Sequence, residues 1–300
     1  MKTILNSYIS QTEQLVYNYW PLILLLLIIN LVISYLRSYR VKHIIKTFYS
    51  NIFLYFSSIK FFAWLLPFRL EEIISVFVLK KLIGKDGWGS STSTIIVTKL
   101  SDYLIYFFIF FIVLAIYSSG RQNIFLGLSF LIVGGIIVSL AFNRREIIIA
   151  NIIKNIKALV SKFPNSKLPL KLGVFFSDSS YIARSFVASS KFWSTTFLIA
   201  FLQILYACGV IFGASDKAID FELFLIVLIY ILTQAIPIRL FFGVGIFDIA
   251  VLLIGYFTTV GFSVNELILF RTLIFFVITL EMVFVFLMYT LINLSRGIEK

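Results

Sequence analysis

Nine ionisable side chains, Arg69, Glu71, Glu72, Lys99, Asp102, Arg239, Asp248, Arg271 and Glu281, stand in stretches otherwise built of Phe, Ile, Leu and Val. A charge at the centre of a bilayer costs about 2.5 to 3.5 kcal/mol even on the gentlest scale, so each is a functional candidate by default. The four cations suit an anion, and an arginine fork grips two phosphate oxygens at once. The carboxylates can balance those cations, hold a metal or act as a general base. Glu71 and Glu72 form the one adjacent carboxylate pair in such a stretch, with Arg69 a plain partner. Lys99 and Asp102, three residues apart on a helix, fit an ion pair on one face. Glu281, deep in the last apolar run, reads as a neutral, hydrogen-bonded structural carboxyl.

Other chemistries lack their residues. His43 is the single histidine and lies in a basic stretch, which removes histidine acid-base catalysis and histidine metal sites. Cys208 is the single cysteine, so there is no disulfide framework and no thiolate metal site. Gly84-Lys85-Asp86-Gly87-Trp88-Gly89 has glycines without the order of a phosphate loop and reads as an interfacial loop anchored by Trp88. No cofactor and no metal are expected.

The elements that must position these groups follow from composition. Of 300 residues 60% are apolar and 13% charged, far too little charge to clothe a water-soluble chain, and 34 Phe with 15 Tyr exclude disorder. The chain reads as an all-α integral membrane protein. Its net charge of +12 collects in two segments, a topology signal rather than a nucleic-acid surface. Residues 1 to 19 read as a mature amphipathic start rather than a cleaved signal. Spans are expected at 20 to 36, 98 to 119, 124 to 143, 192 to 213 and 265 to 292, with Pro21 in the first turn of its helix. Arg37, Arg40, Lys42 and Lys46 follow the first span without a carboxylate, which places 37 to 46 in the cytoplasm and the amino terminus outside. Residues 144 to 191 hold nine Lys or Arg against Glu146 and Asp178 and are also expected inside, with an amphipathic helix bearing Ile148, Ile152, Ile156 and Leu159 on the inner leaflet. The acidic link at 214 to 222 is expected outside.

Two stretches do not fit simple spans. Residues 51 to 66 and 70 to 84 are apolar arms around a break at Pro67-Phe68-Arg69. Each arm of about 15 residues makes roughly 23 Å of helix, short of the roughly 30 Å hydrocarbon core. A re-entrant helical hairpin satisfies both facts. Residues 222 to 262 repeat the format around Pro237-Ile238-Arg239, with Gly243 and Gly245 beyond. Lys99 follows Pro67 by 32 residues and Arg271 follows Pro237 by 34. The first hairpin would enter from inside and the second from outside, an inverted repeat whose broken helices meet near the midplane, where transporters bind substrate. The expected architecture is therefore a polytopic helical bundle with two re-entrant hairpins in an inverted repeat, one transmembrane domain over 1–300. Its first half is 1–143, its cytoplasmic basic link 144–191 and its second half 192–300.

Four motifs then carry a resemblance. Pro67-Phe68-Arg69-Leu70-Glu71-Glu72, Thr98-Lys99-Leu100-Ser101-Asp102, Gly243-Val244-Gly245-Ile246-Phe247-Asp248 and Leu269-Phe270-Arg271 resemble, in order, the landmarks of the transmembrane region of lysylphosphatidylglycerol synthases. This is the flippase region of the multiple peptide resistance factor and its stand-alone relatives. That family's pattern runs Pro-Gly-Arg-x-Gly-Glu, Glu-Arg-x-x-Asp, Gly-Gly-x-Gly-Val-Phe-Glu and Tyr-Arg. Here Glu71 replaces a glycine, Ser75 a frequent second arginine, Thr98 a glutamate, Lys99 an arginine and Asp248 a glutamate, while the charge sign is kept at Arg69, Glu72, Lys99, Asp102, Asp248 and Arg271.

The resemblance implies a flippase-like lipid translocase of the cell membrane. Arg69, Lys99, Arg239 and Arg271 would bind a phospholipid or polyprenyl-phosphate headgroup in a midplane cavity, and Glu72, Asp102 and Asp248 would balance them when it is empty. The family's soluble aminoacyl-transferase domain has no counterpart in these residues, so synthesis of an aminoacylated lipid is not expected. Expected partners are a membrane lipid or lipid-linked anion, another copy of the chain or a synthase, and no nucleic acid. A polyprenyl-phosphate-dependent glycosyltransferase using Glu71 or Glu72 is the alternative from another class, and a non-catalytic membrane partner of another enzyme a third.

Overall fold

The computed structural model of the protein describes residues 2–42, 49–65, 70–83, 88–120, 189–214, 226–227, 229–230, 233, 248–249 and 264–298. Among them every regular element is helical. The six helices are α1 (Lys2–Lys42), α2 (Tyr49–Leu65), α3 (Leu70–Ile83), α4 (Trp88–Gly120), α5 (Ser190–Ala214) and α6 (Val264–Ile298). Four stretches are long and apolar enough to cross a membrane: Tyr19–Lys42, Trp88–Ile112, Ser190–Ala214 and Asn265–Leu294. They coincide with four of the five expected spans. The fifth, 124 to 143, lies outside the described residues, as do the basic link, the tips at Pro67 and Pro237, Arg69 and Arg239.

The boundaries differ from expectation in physically instructive ways. The first helix starts at Lys2, so Pro21 lies inside it rather than in a first turn. The second span starts ten residues earlier than expected, at Trp88, because the Ser/Thr-rich stretch before Thr98 is helical too. Its hydroxyls do not compete with the helix; they join it. Thr94 donates to the Ser90 carbonyl at 2.7 Å, Thr98 to that of Thr94 at 2.7 Å and Ser101 to that of Val97 at 2.8 Å. A hydroxyl satisfied in this way can sit in apolar surroundings. The two short arms appear as α2 with 17 residues and α3 with 14, and residues 66–69 between them lie outside the described residues.

The chain divides into two compact units. The first comprises Met1–Arg37, Phe53–Phe68 and Phe201–Lys300. Within it, α1 buries Ile23, Leu26, Asn30, Ile33 and Ser34 at steps of one to four, one stripe of a helix. Leu24, Leu25, Ile28, Val32 and Tyr35 face outward. Large exposed apolar side chains along the opposite face are what a lipid-facing surface requires. On α6 the same division holds, with Phe270, Leu273, Ile274, Val277, Glu281 and Val285 buried and Val283, Phe284, Phe286 and Leu287 exposed. Gly209 and Gly213, four apart on α5, let that helix lie close to α1. A Cβ at 209 would stand 2.9 Å from Leu26 Cδ2, and one at 213 would meet Leu22 Cδ2. This is the small-residue spacing by which membrane helices approach.

The second unit comprises Ser38–Ile52 and Arg69–Ala200. Here α3 packs on α4, and the buried stripe of α4 is Ser91, Thr94, Ile95, Thr98, Ser101, Asp102, Ile105 and Tyr106. Phe77 of α3 meets Trp88 edge to face at 5.0 Å, and Lys80 Nζ sits 4.5 Å over the Trp88 ring. The amino end of α5 is capped by Ser189, whose Oγ accepts from the Phe192 amide at 3.3 Å.

Candidate functional site

Glu72, Lys99, Asp102, Asp248, Arg271 and Glu281 each pair with an oppositely charged side chain on another segment. In the second unit Asp102 on α4 is taken by Arg40, at the end of α1. Arg40 Nη1 donates to Oδ1 at 2.5 Å and Nη2 to Oδ2 at 3.2 Å. Nη1 also donates to Thr196 Oγ1 at 3.1 Å, and the guanidinium lies 5.5 Å from the Phe192 ring centroid. Thr196 donates in turn to the Phe192 carbonyl at 2.7 Å. Both charged side chains are buried.

This corrects one expectation. Lys99 and Asp102 are not a pair: Lys99 stands 3.7 Å from Glu72 on α3, and both are partly exposed. The reason is reach. Arg40 delivers two parallel donors to Asp102, which a lysine three residues along the same helix cannot match. Glu71, by contrast, is buried on α3 while Glu72 points to Lys99, so the adjacent carboxylates face different surroundings.

In the first unit Arg271 on α6 grips Asp248, Nε to Oδ1 at 2.9 Å and Nη2 to Oδ2 at 2.5 Å. The guanidinium also lies 5.3 Å from the Phe270 ring, which itself meets Tyr230 edge to face at 5.2 Å. The same unit buries Glu281, which accepts from Asn30 Nδ2 and Ser34 Oγ of α1 and from Lys60 of α2. Its oxygens are acceptors for an ammonium, which suits a carboxylate rather than the neutral carboxyl expected. Lys60 was not among the sequence candidates, although it is the single charged residue between Asn51 and Leu66. That isolation was its available signal.

The geometry thus links the motifs pairwise. The Pro67 motif reaches the Lys99 motif through Glu72–Lys99, and the Gly243 motif reaches the Arg271 motif through Asp248–Arg271. Lys99 and Arg271 are each held by a carboxylate, while Arg69 and Arg239 lie outside the described residues. Among the described residues no group of three or more His, Cys, Asp or Glu is placed to hold a metal.

Against known families, the model of the lysylphosphatidylglycerol synthase transmembrane region matches residues 5–293. No curated protein and no solved structure matches the chain.

Proposed function

The chain belongs to the lysylphosphatidylglycerol synthase transmembrane-region family and is a multi-pass membrane protein, and from that premise we propose that it is a membrane lipid translocase that carries an anionic headgroup through the bilayer. The observation that supports this most is the repeated pairing of a motif carboxylate with a motif cation. In each case the acid follows a proline in sequence and the base lies in a long helix further on, as Glu72 with Lys99 and Asp248 with Arg271. Two such pairs in the two halves accord with an inverted repeat of re-entrant hairpins, the layout in which transporters hold substrate.

Chemically each pair is a cation already neutralised, largely buried at Asp248–Arg271 and partly exposed at Glu72–Lys99. A phosphate that displaces the carboxylate gains an ion pair without the protein creating a new buried charge, so the exchange is near balance and the headgroup can leave again. Arg69 and Arg239 keep the role of headgroup ligands in this proposal, and Asp102 does not balance them, because Arg40 holds it.

The test is transfer of fluorescent phosphatidylglycerol between leaflets of proteoliposomes, read by quenching of the outer leaflet. Wild-type protein should accelerate it; Lys99→Gln, at the partly exposed pair, should abolish the acceleration while the protein keeps its unfolding temperature within a few degrees, and Arg271→Gln combined with Asp248→Asn, which strands no buried charge, should abolish it as well. Equal rates with and without wild-type protein would refute the proposal.

A further inference from the structure

The first unit holds a second charged cluster, one that headgroup binding does not use. Lys60 Nζ stands 3.3 Å from both Glu281 oxygens, 2.6 Å from Asn30 Oδ1 and 3.0 Å from the Asn30 carbonyl. Asn30 Nδ2 and Ser34 Oγ hold the Glu281 oxygens from the other side at 2.5 Å. The Glu281 side chain has no exposed surface and that of Lys60 11%. The pair is therefore placed by three helices, α1, α2 and α6, inside a unit whose remaining core is mainly aliphatic and aromatic.

Stability does not account for it. A buried ion pair gains little over apolar residues of the same volume, and charged residues at membrane depth mark proton and ion routes. What this pair has that an apolar pair lacks is two sites that bind protons and share them through direct contact. Further buried polar atoms belong to the same unit. Ser57 Oγ, one turn before Lys60, and Gln203 Oε1 and Tyr206 Oη, one turn apart on α5, are buried and make no hydrogen bond to the described residues. Tyr206 is within electrostatic range of Glu281 and Tyr230, and Lys60 within range of Arg37. Arg37 and Tyr206 are thus the charged or titratable groups in range of the pair, with Tyr230 in range of Tyr206.

We propose that Lys60 and Glu281 form a proton-exchange site, and that lipid movement is driven by the passage of protons through it. The second half of that statement rests on the lipid-translocase reading. The cycle balances. Lys60 releases one proton to water on one side and becomes an amine beside the Glu281 carboxylate; Glu281 takes one proton from the other side; transfer of that proton from Glu281 to the Lys60 amine restores the ion pair. One proton has crossed and no charge remains.

The experiment uses vesicles of phosphatidylglycerol and phosphatidylcholine loaded with a pH-sensitive dye, with potassium and valinomycin to clamp the voltage. After an external acid step, wild-type protein should acidify the lumen, and Glu281→Gln should reduce the rate to that of protein-free vesicles. The double variant Lys60→Gln with Glu281→Gln keeps hydrogen-bonding groups for Asn30 and Ser34 while removing both proton sites. It should unfold near the wild-type temperature and carry no protons. Lipid transfer measured in parallel should accelerate under the pH gradient in wild type and not in the double variant. No proton entry with wild type, or wild-type entry with the folded double variant, overturns the proton site. Lipid transfer without proton entry leaves the translocase reading intact and removes this inference; proton entry without lipid transfer keeps the site and removes the translocase.

Discussion

Arg40 and Asp102, 62 residues apart in the chain, meet in a two-point ion pair with almost no solvent exposure. The basic run at the end of the first span is therefore not uniform in its surroundings. One of its members is spent inside the protein, tying the end of α1 to α4 with Thr196 of α5 as a third contact.

This pair should behave as a unit in stability. Arg40→Leu or Asp102→Leu alone strands a desolvated charge and should each cost about 3 to 5 kcal/mol, whereas the double substitution should cost much less than their sum. Thermal unfolding in detergent measures both. Additive losses would place the pair in solvent.

The Lys99–Glu72 contact provides the contrast. With Lys99 45% and Glu72 33% exposed at 3.7 Å, the pair sits at a wet boundary. Solvent screens it, and a double-mutant cycle should return a coupling below about 1 kcal/mol. Lys99→Gln should thus leave unfolding almost unchanged while affecting lipid transfer. A coupling comparable to that of Arg40 with Asp102 would contradict this.

What the sequence made legible follows the length scale of the signal. The described spans were readable because apolar composition acts locally, and the two short arms α2 and α3 because their apolar runs are each shorter than a span. Partner choice was not readable. Lys99 and Asp102 are close in sequence and share a helix, yet Asp102 is claimed by an arginine from another helix whose fork gives two bonds. Neighbours along a helix are visible in a sequence, whereas packing decides which distant side chain arrives. Lys60 was overlooked for a related reason: its oxygens come from Asn30 and Glu281, and neither position points to it locally.

Close approach of α5 to α1 should be sensitive to size at two positions. Leu26, which a side chain at 209 would meet, is fully buried and has little room to shift, whereas Leu22, met from 213, is partly exposed and has more. Gly209→Val should cost about 1 to 3 kcal/mol through overpacking, and Gly213→Ala less. Unfolding temperatures that rank the two in the opposite order would show that Leu22 is the stiffer neighbour.

The Asp248–Arg271 pair allows a prediction of opposite signs. If the carboxylate holds Arg271 only until an anion takes its place, the two residues compete for one role. Asp248→Asn keeps a hydrogen-bond acceptor near Nε but removes the competing charge, so an anionic headgroup should bind more tightly and leave more slowly. Arg271→Gln removes the headgroup's ligand. In vesicles with increasing phosphatidylglycerol, Asp248→Asn should reach half-maximal transfer at a lower fraction of that lipid and with a lower maximal rate. Arg271→Gln should show little transfer at any fraction, and Arg271→Lys should recover only part because an ammonium is a point donor rather than a fork. The two-point contact to Asp248, through Nε and Nη2, is what makes that last comparison informative. A half-maximal fraction shifted upward by Asp248→Asn, as for loss of Arg271, would mean that the aspartate builds the site and does not compete for it.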